Sequence, residues 1–227
     1  MPRTYPIHLT IEGKLCVVVG GGAVAERKVS GLLAAGARVR LVSPELTPEL
    51  QTRANAGEIE EVTAAYESTY LADAFLVFAA TGDRAVNARI AADAMERGIP
   101  VNVVDTNTPQ AGGFVVPAVV RRGELCLSVS TGGATPMLAA QIRQELEQHY
   151  GPEYEELTAL LGRMRAYVQE TAGGPARSRA ALESLIAAEA EMRELLRAGQ
   201  PEAAEERARS LVNAALERED WSSSSSE

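Results

Sequence analysis

Residues 14–28 read KLCVVVGGGAVAERK, and the rest of the chain is organised around them. Leu15 to Val19 form a short apolar, mostly β-branched run of the kind that suits a buried strand. Three glycines stop it, and a helical pattern follows. The turn spells Gly20-x-Gly22-x-x-Ala25, the alanine-ended dinucleotide fingerprint in its strand–turn–helix context. Gly20 permits the tight turn. Gly22 lets a pyrophosphate approach the backbone, and Ala25 lets the helix lie close to the sheet. The phosphates are expected at the helix N-terminus, against Ala23 and Val24, where free N–H groups and the dipole favour negative charge. An ordinary glycine-rich βα turn is the competing reading.

Outward from this unit, strands and helices alternate. Arg38–Val42 predicts a second strand after Gly36, which fits a helix C-cap position. Helix is expected over 46–56, strand over 59–63, strand over 76–80, helix over 87–97 and strand over 101–104. This is the pattern of a parallel sheet with right-handed crossovers, a Rossmann-like α/β domain. Ligands of such sheets bind beyond the carboxyl ends of the strands, so Gly20 to Ala23, Ser43, Thr81 and Asp105 are expected to face one crevice. An acidic residue often ends the second strand and binds the ribose. Here Ser43-Pro44-Glu45 stands there, which leaves NAD against NADP open.

After 105 the pattern changes. Phe114 to Val120 and Leu125 to Ser130 predict a β-hairpin joined through Arg121-Arg122-Gly123-Glu124. A Thr131-Gly132-Gly133 stretch follows, then a helix over 137–149 with Thr135 as N-cap and Pro136 at N1. From 152 the chain is helical, with segments near 153–171, 178–198 and 201–219 divided by glycine–proline breaks. The division expected is a dinucleotide-binding domain at 1–112, a dimerising hairpin-and-helix region at 113–150, an all-helical C-terminal domain at 151–220 and a disordered tail at 221–227.

The net charge of −9 and the low aromatic content argue against a nucleic-acid partner. A polyanionic ligand would have to meet a local basic patch against that field. No apolar run approaches the roughly 20 residues of a membrane helix, and the N-terminus lacks a signal-peptide layout. Cys16 and Cys126 read as reduced, buried thiols. His8 and His149 match no metal-ligand spacing, so no resident metal is expected and the cytoplasm is the expected compartment.

GGGAVAERK at 20–28, AATGD at 79–83 with Val86-Asn87, VNVVD at 101–105, FVVPAVVRRGEL at 114–125 and SVSTGGATPMLA at 128–139 together resemble the precorrin-2 dehydrogenase family, which includes the dehydrogenase–ferrochelatase part of siroheme synthases. The resemblance covers about residues 1–150; the helical third matches only in general character. It implies NAD-dependent oxidation of precorrin-2 to sirohydrochlorin, in some members insertion of ferrous iron as well, and a homodimer. It places the catalytic aspartate on Asp105. A carboxylate at the end of the fifth strand suits a general base, because the oxidation releases a proton as well as a hydride. Asp105 capping a loop or pairing with an arginine is the alternative.

Ser128, Ser130, Thr131 and Gly132 fall near the implied substrate site, where Gly132 and Gly133 before a helix start would suit a substrate carboxylate. A well-capped turn explains the same residues. Arg121 could meet another carboxylate or sit in a solvated turn. The loop between Asp105 and Pro117 is longer than the usual family pattern. With the chain ending at 227, no methyltransferase module is expected. Two rival functions remain: a non-catalytic NAD sensor, which would need no Asp105, and a tetrapyrrole chelatase or carrier without redox activity, which would tolerate disruption of Gly22.

Overall fold

The structure is a computed structural model that describes residues 4–104 and 113–224, with side-chain surroundings as far as residue 217. The chain divides into two compact units. The first comprises residues 4–104, 113–116 and 131–135. The second holds 117–130 and 136–224. Where the sequence divides into three, the packing groups the hairpin and its following helix with the C-terminal helices.

The first unit is built on β1 (Leu15–Val19), β2 (Arg38–Val42), β3 (Glu60–Val62), β4 (Leu76–Ala79) and β5 (Val101–Val103), hydrogen-bonded in the order β3-β2-β1-β4-β5. Every pairing is parallel. Order reverses between β1 and β4, the switch point at which open α/β sheets bind ligands. All five residues of β1 are buried because both faces of the sheet are covered. On one face Cys16, Val18, Leu41 and Phe78 pack with Ala25, Val29 and Leu32 of α1 (Ala23–Ala34) and with Leu50 of α2 (Pro48–Asn55). On the other, Val17, Val19, Val77 and Ala79 pack with Ile90, Ala91 and Ala94 of α3 (Arg84–Glu96). A fully buried Val or Leu contributes about 1.5–3 kcal/mol, so these two layers carry the unit. Helix α1 closes at Gly36, whose N–H reaches the Leu33 carbonyl while Ala37 N–H reaches that of Leu32.

In the second unit β6 (Ala118–Arg122) and β7 (Leu125–Val129) form an antiparallel hairpin. Its turn is the pair Gly123-Glu124; Arg121 and Arg122 lie in β6, opposite Cys126 and Leu125, and not in the turn. Gly123 has φ 54° while Glu124 has no positive φ, the pattern of a II′ turn, which matches the strands' twist without needing the longer loop. Next come α4 (Pro136–His149), α5 (Glu153–Thr171), α6 (Pro175–Ala187), α7 (Glu189–Arg197) and α8 (Pro201–Ser224). Leu157, Leu160, Met164 and Val168 of α5 meet Leu185, Met192 and Leu196, and a period-four stripe of Ala204, Ala208, Val212 and Leu216 from α8. The single helix expected over 178–198 is two, broken at Ala188. Helix α8 continues through Trp221 to Ser224, into the stretch whose composition suggested a disordered tail. Cys16 is buried, and burial pushes its thiol up to about 11; Cys126 is only half-buried, and both are free.

Candidate dinucleotide site

At the carboxyl ends of β1, β2 and β4 lies a cavity of about 560 Å³ lined by Gly20, Gly21 and Gly22, by Ser43 to Thr47, by Ala64, Ala65 and Tyr66, and by Ala80 to Asp83. Each wall has a local cause. Gly20 has φ 122°, and a Cβ there would lie 2.3 Å from the Ala80 carbonyl oxygen. Only glycine lets the chain leave β1 this close to β4. Gly22, by contrast, would point a Cβ into open space. That space is what a phosphate needs. Gly22 is the N-cap of α1 and gives no side-chain cap, and the first helical bond runs from Glu26 N–H to its carbonyl. The earlier N–H groups of α1, from Ala23, Val24 and Ala25, are the orphan donors of a helix start. The neighbouring helices at this edge are capped: Thr47 accepts from Leu50 N–H, and Asp83 from Ala85 and Val86 N–H. The cradle, the open side and the uncapped α1 N-terminus therefore fit a dinucleotide pyrophosphate.

Gly21, the unspecified middle position of the fingerprint, carries the tightest contact. Its Cβ would lie 1.9 Å from the Glu45 carbonyl oxygen and 2.7 Å from Ser43 Oγ. Gly21 O accepts from Thr47 N–H at 2.9 Å. The glycine turn is thus packed onto the β2–α2 loop. Thr47 Oγ1 also donates to Glu26 Oε2 at 2.8 Å, tying that loop to α1.

Ser43, the residue expected at the ribose, lines the cavity. It is 6% exposed, and its hydroxyl donates to the Glu45 carbonyl at 2.7 Å. Its observed work is to fold the Ser43-Pro44-Glu45 corner; Pro44 and Glu45 are the exposed residues there.

Thr81 is held by a residue the sequence reading passed over as a site residue. Asn87, 5% exposed, accepts from Thr81 N–H at 3.1 Å and donates from Nδ2 to Thr81 O at 3.0 Å. Its Oδ1 also lies 2.7 Å from Thr81 Oγ1. One buried amide thus satisfies both backbone groups where β4 turns into α3. The signal available was Asp83, whose capping starts α3 at Arg84, one turn earlier than expected. Asn87→Leu should leave two part-buried backbone groups of Thr81 unpaired and cost about 1–3 kcal/mol, read by chemical denaturation. An unchanged midpoint would show that Asn87 does not hold this turn.

Tyr66 walls the cavity opposite the glycines. Its hydroxyl donates to Asp93 Oδ2 at 2.8 Å, and Arg89 both stacks on its ring and donates to its carbonyl oxygen. Burial, then the bond to Asp93, push the phenol well above its ordinary range, so it stays neutral. Nothing in the local sequence of Tyr66 announces this role.

In the second unit Arg121 and Ser128 share one face of the hairpin. Arg121 pairs with Cys126, Ser128 pairs with Val119, and Val119 and Arg121 are two apart on the same strand. Arg121 and Ser128 are exposed. Arg122 instead donates from Nε to the Tyr150 carbonyl at 2.9 Å, closing the C-terminal end of α4. Thr131 and Gly132 belong to the first unit. Thr131 Oγ1 donates to Thr135 O at 3.1 Å and lies 3.3 Å from Thr135 N, and Gly132 has φ 64°. Ser130, between β7 and this turn, is exposed and engaged. Asp105 lies outside the described residues. The last described residue before it, Val104, still donates its N–H to Ala79 O at 2.9 Å.

Fold and cradle together define a dinucleotide-binding protein of the Rossmann type. The comparisons with known proteins narrow this. Residues 7–118 match the model described as putative NAD(P)-binding, and 122–149 that of the sirohaem biosynthesis protein central region. A siroheme synthase of Nitrosospira multiformis is 40% identical over 203 residues, 88% of this chain and 42% of that protein. The siroheme synthase of Methylobacillus flagellatus is 41% identical over 168 residues, 74% of this chain and 36% of its own length. The chain thus spans well under half the length of these relatives. Among solved structures, SirC, a precorrin-2 dehydrogenase, superposes with TM-score 0.74 at 25% identity, covering 91% of this chain and all of its own. The chain belongs to the precorrin-2 dehydrogenase and siroheme synthase family.

Proposed function

We propose that this protein oxidises precorrin-2 to sirohydrochlorin with NAD⁺, acting in the cytoplasm as a homodimer. The observation that carries the reading is the glycine cradle at an uncapped helix start, opening on the 560 Å³ cavity. When bound, the nicotinamide supplies the hydride acceptor. The chain's own work is to hold the pyrophosphate on Gly20 to Val24, to close the cavity with Tyr66 and the Ser43–Thr47 loop, and to take the proton. Asp105, next in sequence after the end of the β5 ladder, is the proposed base. Ser128, Ser130, Thr131, Gly132 and Arg121 are the proposed contacts for the substrate's carboxylates. Support for the homodimer comes from Val119, Met137 and Leu138, large apolar side chains exposed on the hairpin and at the start of α4. Two free thiols agree with a reducing compartment.

NAD is preferred to NADP on electrostatic grounds. The described residues lining the cavity include two charged side chains, Glu45 and Asp83, both acidic. A 2′-phosphate there would meet no cation and would face Glu45 where the ribose is expected. NAD⁺ is therefore expected to bind at least ~10-fold more tightly than NADP⁺, and Glu45→Arg to narrow or invert that ratio. Titrations of both nucleotides on both proteins check it; equal affinities in the unaltered protein would sink it.

A spectrophotometric turnover assay tests the function itself. Precorrin-2 generated in situ is offered with NAD⁺, and sirohydrochlorin is expected. Ferrous iron, a substrate in this step, is then added to the same mixture, and siroheme formation reports insertion. NAD binding without oxidation would replace the enzyme reading by the sensor.

A further inference from the structure

The chain has 22 basic residues, of which Lys14 and Lys28 are the only lysines. Lys14 is exposed. Lys28 lies in α1 beside the inward-facing Ala25, Val29 and Leu32, and it is half-buried. Its Nζ is 5.5 Å from the centroid of the Phe78 ring. Phe78 in turn meets Phe114 edge-on, with centroids 5.2 Å apart. Val104 and Phe114 pack on the same cluster as Phe78, and Asn102, beside Phe78 in the ladder, donates to the Phe114 carbonyl. The ammonium thus sits on the α1 side of the sheet, over the next-to-last residue of β4, beside β5.

Other cations of this unit either have carboxylate or carbonyl partners, as Arg40 with Glu60, Arg53 with Glu49 and Glu58, and Arg97 with the Asp93 carbonyl, or are exposed to solvent, as Lys14, Arg27, Arg38 and Arg84. Lys28 has neither among the described residues. Its one acidic helical neighbour, Glu26, accepts from Thr47 instead. Burial, with Arg27 adjacent, lowers its pKa below the ordinary lysine value, the mark of a cation whose lost hydration is not replaced. An aromatic face compensates in part. An anion would compensate fully, and a compact ammonium with three rotatable donors accepts a single carboxylate without the fixed approach a guanidinium demands. In a chain of net charge −9, a polycarboxylate depends on such local cations.

We infer that Lys28 binds a peripheral carboxylate of the oxidised substrate, fixing it over the Phe78–Phe114 wall. The inference rests on the proposed dehydrogenase reading, and its test separates the two. Steady-state turnover of in-situ precorrin-2 is measured for the unaltered protein, Lys28→Gln, Lys28→Arg and, as a control, Lys14→Gln, with NAD⁺ affinity and thermal midpoint measured alongside. Lys28→Gln should raise the KM for precorrin-2 ~10-fold or more, the size of a lost charge-assisted hydrogen bond, with NAD⁺ affinity unchanged. Lys28→Arg should recover much of the loss, and Lys14→Gln should behave as the unaltered protein. An unchanged KM in Lys28→Gln overturns the anchor while leaving the enzyme reading intact. An equal loss of NAD⁺ affinity assigns Lys28 to the cofactor and overturns it too. If Lys28→Gln melts early, Lys28→Arg decides: a normal midpoint with a KM as poor as glutamine's counts against the anchor. Absence of turnover in the unaltered protein removes both readings together.

Discussion

Gly21→Ala should all but abolish dinucleotide binding and lower the stability of the sheet unit. The added methyl carbon would lie 1.9 Å from the Glu45 carbonyl oxygen and 2.9 Å from Leu46 Cδ2, with backbone rather than a flexible side-chain tip as the nearest obstacle. Neither partner is free to retreat. Glu45 O is held by the Ser43 hydroxyl, and Gly21 O by Thr47 N–H. Relief requires parting the glycine turn from the β2–α2 loop, and both line the cavity. We expect a cost of about 3 kcal/mol, the upper end for overpacking. That lowers the thermal midpoint by roughly 6–12 °C in a chain of this size. NAD⁺ affinity should fall ~100-fold, equivalent to about 2.7 kcal/mol. Gly22→Ala makes the contrast: its Cβ meets nothing within 4 Å, so the fold should be unaffected while the methyl takes the space a phosphate needs. Scanning calorimetry and nucleotide titration on the pair check both. A Gly21→Ala protein that melts and binds normally would show that the loop yields.

Asp105→Ala should cut kcat for precorrin-2 oxidation by ~10²–10⁴-fold, the usual contribution of a positioned acid–base group. NAD⁺ affinity should stay within about twofold, because the cradle at Gly20 to Val24 does not include Asp105. Asp105→Asn should behave alike, since it keeps the shape but cannot take a proton. Single-turnover kinetics separate this from a binding defect. Unimpaired kcat in both variants would remove Asp105 as the base and leave the cradle reading standing.

The sheet was largely legible because its signals are local. Leu15–Val19 carries a β-branched run stopped by glycines, and Arg38–Val42 follows a helix-ending Gly36; the structure places both strands there. Helix α5 likewise matches its predicted span, since an Ala/Glu/Leu stretch bounded by Pro152 and the Gly173-Gly174-Pro175 break defines itself. The errors fell where local sequence was neutral. Residues 178–198 hold no breaker, yet α6 and α7 part at Ala188, with Leu185 on one helix and Met192 and Leu196 on the other all buried in one bundle core. Arg121 and Arg122 look like turn residues by polarity, but the II′ turn needs only Gly123 and Glu124, so both arginines stay in the strand. Helix α3 starts at Arg84, ahead of the amphipathic run that begins at Asn87, because Asp83 caps it through the Ala85 and Val86 N–H groups.

The sequence by itself determined the dinucleotide fingerprint, the alternation that makes a parallel sheet, and the family, because each is written in runs of neighbouring residues. The tertiary structure decided what those residues touch. Why Gly20 and Gly21 admit no side chain, and that Tyr66 lines the same cavity as the glycines, depend on segments 20 to 60 positions apart meeting at one sheet edge. Steric exclusion and buried hydrogen bonding act through space, and a pattern of spacings along the chain does not encode which distant backbone atom fills a given gap.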